Sequence, residues 1–167
     1  MIWDITCRTA NGFDINGFGQ LKDGRGNICP STIILPTLAM EAGRDVEKFM
    51  QLLEEKLEET KDGLIYRFEW ICSQNPASAK FMYENGVMAG YDGKDIRSAL
   101  KHGTLAVGML GMAETLQLLI GCDQTTDEGM SLAKRICKLY SDKCSEYKEK
   151  YKLNFGVYYT PKQSWEA

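Results

Sequence analysis

Thr104-Leu105-Ala106-Val107-Gly108-Met109-Leu110 is the stretch on which the fold turns. It is a short apolar run held between Gly103 and Gly111, and it reads as a buried strand. Glycines within and beside a strand mark places where another backbone or a ligand comes close. Outward from it, Ser31 to Leu35 is β-branched and apolar and forms a second short strand, stopped by Pro36. Asn154 to Tyr159 alternates as a third, stopped by Thr160-Pro161.

Helical patterns fill the intervals. Leu38 to Ala42 is helical up to Gly43. Asp45 caps a helix whose apolar face is Val46, Phe49, Met50, Leu53 and Leu57. That helix is expected to end near Asp62-Gly63, with a second over Leu64 to Cys72. Shorter helical turns fit Ala77 to Tyr83 and Asp95 to Leu100, and another helix fits Ala113 to Ile120. From Thr126 a long helix carries the stripe Met130, Ala133, Cys137, Tyr140, Cys144 and Tyr147. Strands near 32–35, 104–110 and 155–159 separated by helices define an α/β layout with parallel strands and helical crossovers. Three strands are few for a complete α/β domain.

The chain has 167 residues, a formal net charge of −3 and ample apolar content, which fits one domain over residues 1–167. A nearly balanced charge argues against a nucleic-acid or anionic-membrane binder. The longest apolar tract, Leu105 to Leu110, is broken by Gly108 and is far short of a membrane span. With no secretory signature at the N-terminus, a cytoplasmic location is expected. Cys7, Cys29, Cys72, Cys122, Cys137 and Cys144 include no C-x-x-C pair, so a zinc ribbon or redox dithiol is not supported. Cys72, Cys122, Cys137 and Cys144 read as packing residues; Cys7 and Cys29 flank a loop.

That loop, residues 7–30, contains Gly12, Gly17, Gly19, Gly24 and Gly26 and the turn dipeptides Asn11-Gly12 and Asn16-Gly17. A loop of this length is functional or disordered. Cys7 has only Arg8 beside it to lower its pKa, so it does not read as a nucleophilic thiolate. A thiyl radical needs no base, only a water-poor pocket and a C–H bond in contact. Asn27 is a turn residue or a ribose contact. Arg25 is a surface charge or a phosphate contact, the surface being favoured. His102, before Gly103, is a ligand, a base or a structural hydrogen-bonder. Gly24-x-Gly26 precedes a strand and is too short for a dinucleotide fingerprint. Glu114 lies in an apolar run, paired with a buried partner or on a solvent face.

Seven segments, in order along the chain, resemble the anaerobic (class III) ribonucleoside-triphosphate reductases. They are Cys7-Arg8-Thr9, Asp23-Gly24-Arg25-Gly26-Asn27, Thr32-Ile33-Ile34-Leu35-Pro36, Asn75-Pro76-Ala77-Ser78-Ala79, Leu100 to Leu105, Gly108 to Leu116, and Leu153-Asn154-Phe155 closing on Thr160-Pro161. The resemblance implies a segment of a ten-stranded α/β barrel related to pyruvate formate-lyase, with residues 7–30 as a finger-type loop. It makes Cys7 the residue whose thiyl radical takes hydrogen from ribose C3′, and Asn27 a neighbour of the ribose hydroxyls. Thr9, Arg25 and His102 are the candidate substrate contacts. The implied reaction converts a ribonucleoside triphosphate to its deoxy form, with formate or a dithiol protein as reductant. In the whole enzyme a glycyl radical is raised by an iron-sulfur, S-adenosylmethionine-dependent activating enzyme, and a C-terminal zinc is bound.

The family's Arg-x-x-Gly-Tyr radical setting and its C-terminal cysteine pairs have no counterpart in this sequence, and Ile5-Thr6 stand where the family has Met-Gly. The expectation is therefore an internal segment, inactive alone, that self-associates or is completed by another chain. A non-catalytic nucleotide-binding or interaction module is the alternative.

Overall fold

The computed structural model describes residues 11–159. Three strands form one sheet in the order β1-β2-β3: β1 (Asn27–Ile34), β2 (Thr104–Leu110) and β3 (Asn154–Tyr159). Both pairings are parallel, with Thr32 opposite Gly108 and Gly108 opposite Tyr158. Parallel neighbours require long crossovers. The first crossover carries α1 (Leu35–Ala42), α2 (Val46–Cys72), a 3-10 turn (Pro76–Ala79), α3 (Lys80–Glu84) and α4 (Ile96–Leu100). The second carries α5 (Met112–Ile120) and α6 (Asp127–Tyr151).

The sequence-based caps are found in place. Asp45 accepts from the Lys48 amide, Asp95 from Arg97 and Thr126 from Gly129. Each satisfies an amide that the helix itself leaves without a partner. The core lies between one sheet face and the helices, where Cys29, Leu105 and Phe155 meet Phe49, Leu53, Leu57, Leu64, Phe68, Ile136 and Tyr140.

Four boundaries differ from the sequence reading. First, β1 begins at Asn27, so the loop ends before residue 30. Second, Leu35 and Pro36 open α1 instead of closing the strand. Proline at a helix start loses no hydrogen bond and has its φ preset.

Third, α2 runs unbroken through Gly63. Leu57, Leu64 and Phe68 continue one buried stripe across it, and tertiary burial outweighs the cost of about 1 kcal/mol for an interior glycine. Fourth, the stripe of α6 is shifted. Leu132 and Ile136 are buried, Met130 is exposed, and Cys137 is half-buried. Of the four cysteines read as packing residues only Cys144 is fully buried, while Cys29 joins it in the core.

Candidate functional site

The three glycines that punctuate β2 all mark close approaches. A Cβ on Gly103 would lie 2.8 Å from the Gly26 carbonyl oxygen, and one on Gly111 2.5 Å from Pro36. A Cβ on Gly108 would lie 2.5 Å from the Tyr158 ring and 2.8 Å from the Thr32 hydroxyl. Thr32 and Tyr158 hydrogen-bond each other across that gap. Because strand side chains alternate between faces, Pro30, Thr32, Ala106, Gly108, Gly156 and Tyr158 share the face turned away from the core. Small and polar residues occupy the middle of that face beside the Tyr158 ring, and Ile34 and Leu110 follow at its carboxyl end. At the carboxyl ends of β1 and β2, Ile34, Pro36, Leu110, Gly111, Met112 and Glu114 line a cavity of about 570 Å³. Glu114 is exposed, which fits the solvent-face reading of that residue.

At the other end of the sheet sits the loop. The turn at Asp23–Gly26 is held by Gly24, at φ 69°, where a Cβ would lie 2.7 Å from Ala89. The Ala89 amide donates to the Gly24 carbonyl at 3.0 Å. The turn delivers Asn27 to the head of β1, in register with Thr104, whose amide donates to the Gly26 carbonyl at 2.9 Å. Thr104 in turn donates its hydroxyl to Asn11 Oδ1 at 2.9 Å, and Asn11 Nδ2 donates to the Arg25 carbonyl at 3.2 Å.

Arg25 is not a surface charge. It is buried, and its guanidinium donates to the backbone: Nε to His102 O at 2.6 Å, and Nη1 to Gly12 O at 2.9 Å and Leu21 O at 2.8 Å. A short loop with few apolar residues folds around whatever satisfies its carbonyls, and here one guanidinium supplies three donors.

His102 is buried as well. Its ring stacks on Phe18 at 3.8 Å between centroids, and Nδ1 lies 2.7 Å from Asp14 Oδ2. Gly90, at φ 82°, makes room for the ring, since a Cβ there would lie 2.9 Å from Nε2. The other Asp14 contacts are donors too: Asn154 Nδ2 at 2.7 Å and the amides of Asn16 at 2.9 Å and Phe18 at 3.1 Å. Burial would raise the Asp14 pKa, but these donors outweigh it and hold the carboxyl at about 2. An ionised carboxylate only accepts, so Nδ1 of His102 carries the proton that joins them. His102 thus has the structural hydrogen-bonding place that its junction position allowed.

The structure brings Asn27, Arg25 and His102 to the strand-start end of β1 and β2. Cys7 and Thr9 lie outside the described residues. Asp14 carries no reading from the sequence, Asn16 reads as half of a turn dipeptide, and Asn154 as the start of a strand within one of the family-like segments; no local pattern joins positions 14, 102 and 154.

This parallel α/β fold is similar to that of solved anaerobic ribonucleotide reductases. The Thermotoga maritima anaerobic ribonucleotide reductase solved with glycerol in its active site superposes with a TM-score of 0.69 at 22% identity, over 90% of this chain and 24% of that one. The same enzyme with dATP in its specificity site gives 0.68 at 21% identity, over 90% of this chain and 25% of that chain. In sequence, the family model for anaerobic ribonucleoside-triphosphate reductase matches residues 3–165, and the chain belongs to that family. The Escherichia coli K12 enzyme of that name is 28% identical over 166 residues, covering 95% of this chain and 23% of the relative. The Salmonella typhimurium LT2 enzyme matches to the same extent, at 28% identity and 23% of its length. The chain thus spans about a quarter of the length of the curated relatives it matches.

Proposed function

We propose that this chain is the cysteine-loop part of the catalytic fold of an anaerobic ribonucleoside-triphosphate reductase. The observation that carries the reading is the placement of Asn27. Gly103 lets β1 and β2 approach so closely that the turn ends with Asn27 at the head of the sheet, in register with Thr104. In the proposed reaction a thiyl radical on Cys7 removes the hydrogen atom at ribose C3′. Asn27 hydrogen-bonds the ribose hydroxyls while the 2′-hydroxyl, protonated from solvent, leaves as water. Formate supplies two electrons and a proton and is released as carbon dioxide, or a dithiol supplies them and closes to a disulfide; C2′ takes up the proton, and the abstracted hydrogen then returns to C3′.

The radical itself belongs to a glycine raised by an iron-sulfur, S-adenosylmethionine-dependent activase, which is a partner in this proposal. Among the described residues no group of three His, Cys, Asp or Glu side chains converges on a metal position, so these residues do not fit the family's zinc. The Thermotoga relative has been solved with dATP and CTP, and we extend nucleotide binding from it to this chain. Among the described residues no helix is long and apolar enough to cross a membrane, and we place the protein in the cytoplasm.

The test is complementation. The full chain is mixed with a fragment supplying the remainder of a relative's sequence, the activase, S-adenosylmethionine, reductant, formate and a ribonucleoside triphosphate. Deoxynucleotide is expected from the mixture, none from the chain alone, and none with Cys7→Ala. Turnover that survives Cys7→Ala overturns the proposal. Nucleotide binding without turnover in any mixture favours the non-catalytic module.

A further inference from the structure

The groups that meet at Asp14 come from three separated parts of the chain. Asp14, Asn16 and Phe18 belong to the loop, His102 to the turn before β2, and Asn154 is the first residue of β3. The contacts run both ways between them. Asn154 donates to Asp14 and accepts from the Ile15 amide at 3.1 Å. Asn16 Nδ2 donates to Lys101 O at 2.9 Å and to Lys152 O at 3.1 Å. Lys148, on α6, donates to Phe13 O at 2.7 Å. The loop's apolar residues contribute little: Phe13 and Leu21 are 53% and 50% exposed, and Phe18 meets the fold through the His102 ring. The loop from Asn11 to Gly26 is therefore fixed by polar groups, and Asp14 alone accepts four of these hydrogen bonds.

We propose that Asp14, His102 and Asn154 are positioning residues for the loop that leads from Cys7 to Asn27. They set its path against the starts of β2 and β3 and take no part in the chemistry. The inference rests on the reductase reading for its consequence in turnover, but its structural content stands without it. The hub lies apart from the apolar core between α2, α6 and the sheet, so loosening it frees the loop and leaves the helices closed. Stability is distributed in such locally cooperative units. The His102 ring is buried against Gly90 and Phe18, and its Nδ1 is committed to Asp14.

Hydrogen exchange on the full chain, read by peptide, is the experiment. His102→Leu removes the Nδ1 donor, and Asp14→Asn replaces one of the two acceptor oxygens with a donor and removes the charge. Each is expected to speed exchange in peptides spanning 12–25 by about tenfold, the worth of a lost hydrogen bond, with peptides of α2 and α6 unchanged. His102→Asn keeps a donor at a comparable distance and is expected to restore most of the protection. Asn16→Ala, which spares the buried carboxylate, gives a milder form of the same pattern and serves if Asp14→Asn does not fold. Unchanged loop exchange in His102→Leu and Asn16→Ala overturns the proposal. So does an equal loss in α2 and α6, which would make the hub a support of the whole fold.

In the complemented enzyme His102→Leu is expected to lower kcat with KM for the nucleotide little altered, and His102→Asn to recover it. A rise in KM alone overturns the positioning role. If no mixture turns over, the reductase reading fails while the exchange result still decides the hub.

Discussion

The loop over residues 11–26 and the helix pair α2–α6 both bury charge, by opposite means. In the loop a carboxylate, Asp14, is surrounded by hydrogen-bond donors from three chain segments, with little apolar packing behind them. Between the helices an ammonium, Lys61, lies near Glu58 at 3.0 Å and Asp62 at 2.9 Å, over the rings of Tyr147 and Tyr151 at 5.6 and 5.4 Å. It sits beside a fully packed core. A charge that organises a loop is expected to be costly to remove. A charge beside packed apolar residues is expected to be nearly dispensable.

The core itself sets the upper scale. Phe49 is fully buried where α2 meets the sheet and α6, so Phe49→Ala is expected to cost about 3–5 kcal/mol of global stability. Denaturant unfolding followed by circular dichroism measures it. A cost under about 1 kcal/mol would break the comparison, because the helix pair would then not be the stabilising body.

Acid separates the two regions next. The Asp14 carboxyl has a folded pKa of about 2 against an ordinary 3.8. A depressed carboxylate pKa stabilises the fold above its unfolded value. That contribution, about 2 kcal/mol, is present above about pH 4 and is lost as pH falls towards 2. Glu58, also held at about 2, loses stabilisation over a similar range because its pKa too lies below the ordinary 4.5. Comparing wild type with Asp14→Asn therefore isolates the loop. The variant is expected to protect the loop peptides spanning 12–25 less at neutral pH and to show a shallower fall in that protection between about pH 4 and 2. Parallel curves would remove Asp14 from the hub.

The reach of the sequence divides along the same line. The sheet, its parallel sense and the helix caps were legible because each is a local pattern: the apolar run at Thr104–Leu110, Asp45 before Val46, Thr126 before Asp127. The ordered motifs pointed to the family that the comparison with known sequences establishes. The unbroken helix through Gly63 was not legible, because a glycine is a local stop signal and the stripe that overrides it is tertiary. Arg25 was misplaced on the surface for a related reason. Nothing near it in sequence shows that the carbonyls of Gly12, Leu21 and His102 converge on its guanidinium. Asp14 and Asn154 are 140 positions apart and meet at 2.7 Å. Such a pair is written only in the fold.

Lys61→Met makes the sharpest cut at the smallest expected effect. Methionine keeps an unbranched stem against Tyr147 and Tyr151 while removing the ammonium. Glu58 is not stranded by the change. Its Oε1 still accepts from Tyr147 at 2.8 Å and Lys143 at 3.2 Å, and Asp62 is exposed to water. The substitution is therefore expected to leave stability within about 1 kcal/mol of wild type, and to raise it if desolvating the ammonium costs more than its contacts return. Thermal unfolding of the purified variant measures the outcome. A loss of about 3 kcal/mol or more would place Lys61 in the same class as Asp14 and end the distinction between the two regions.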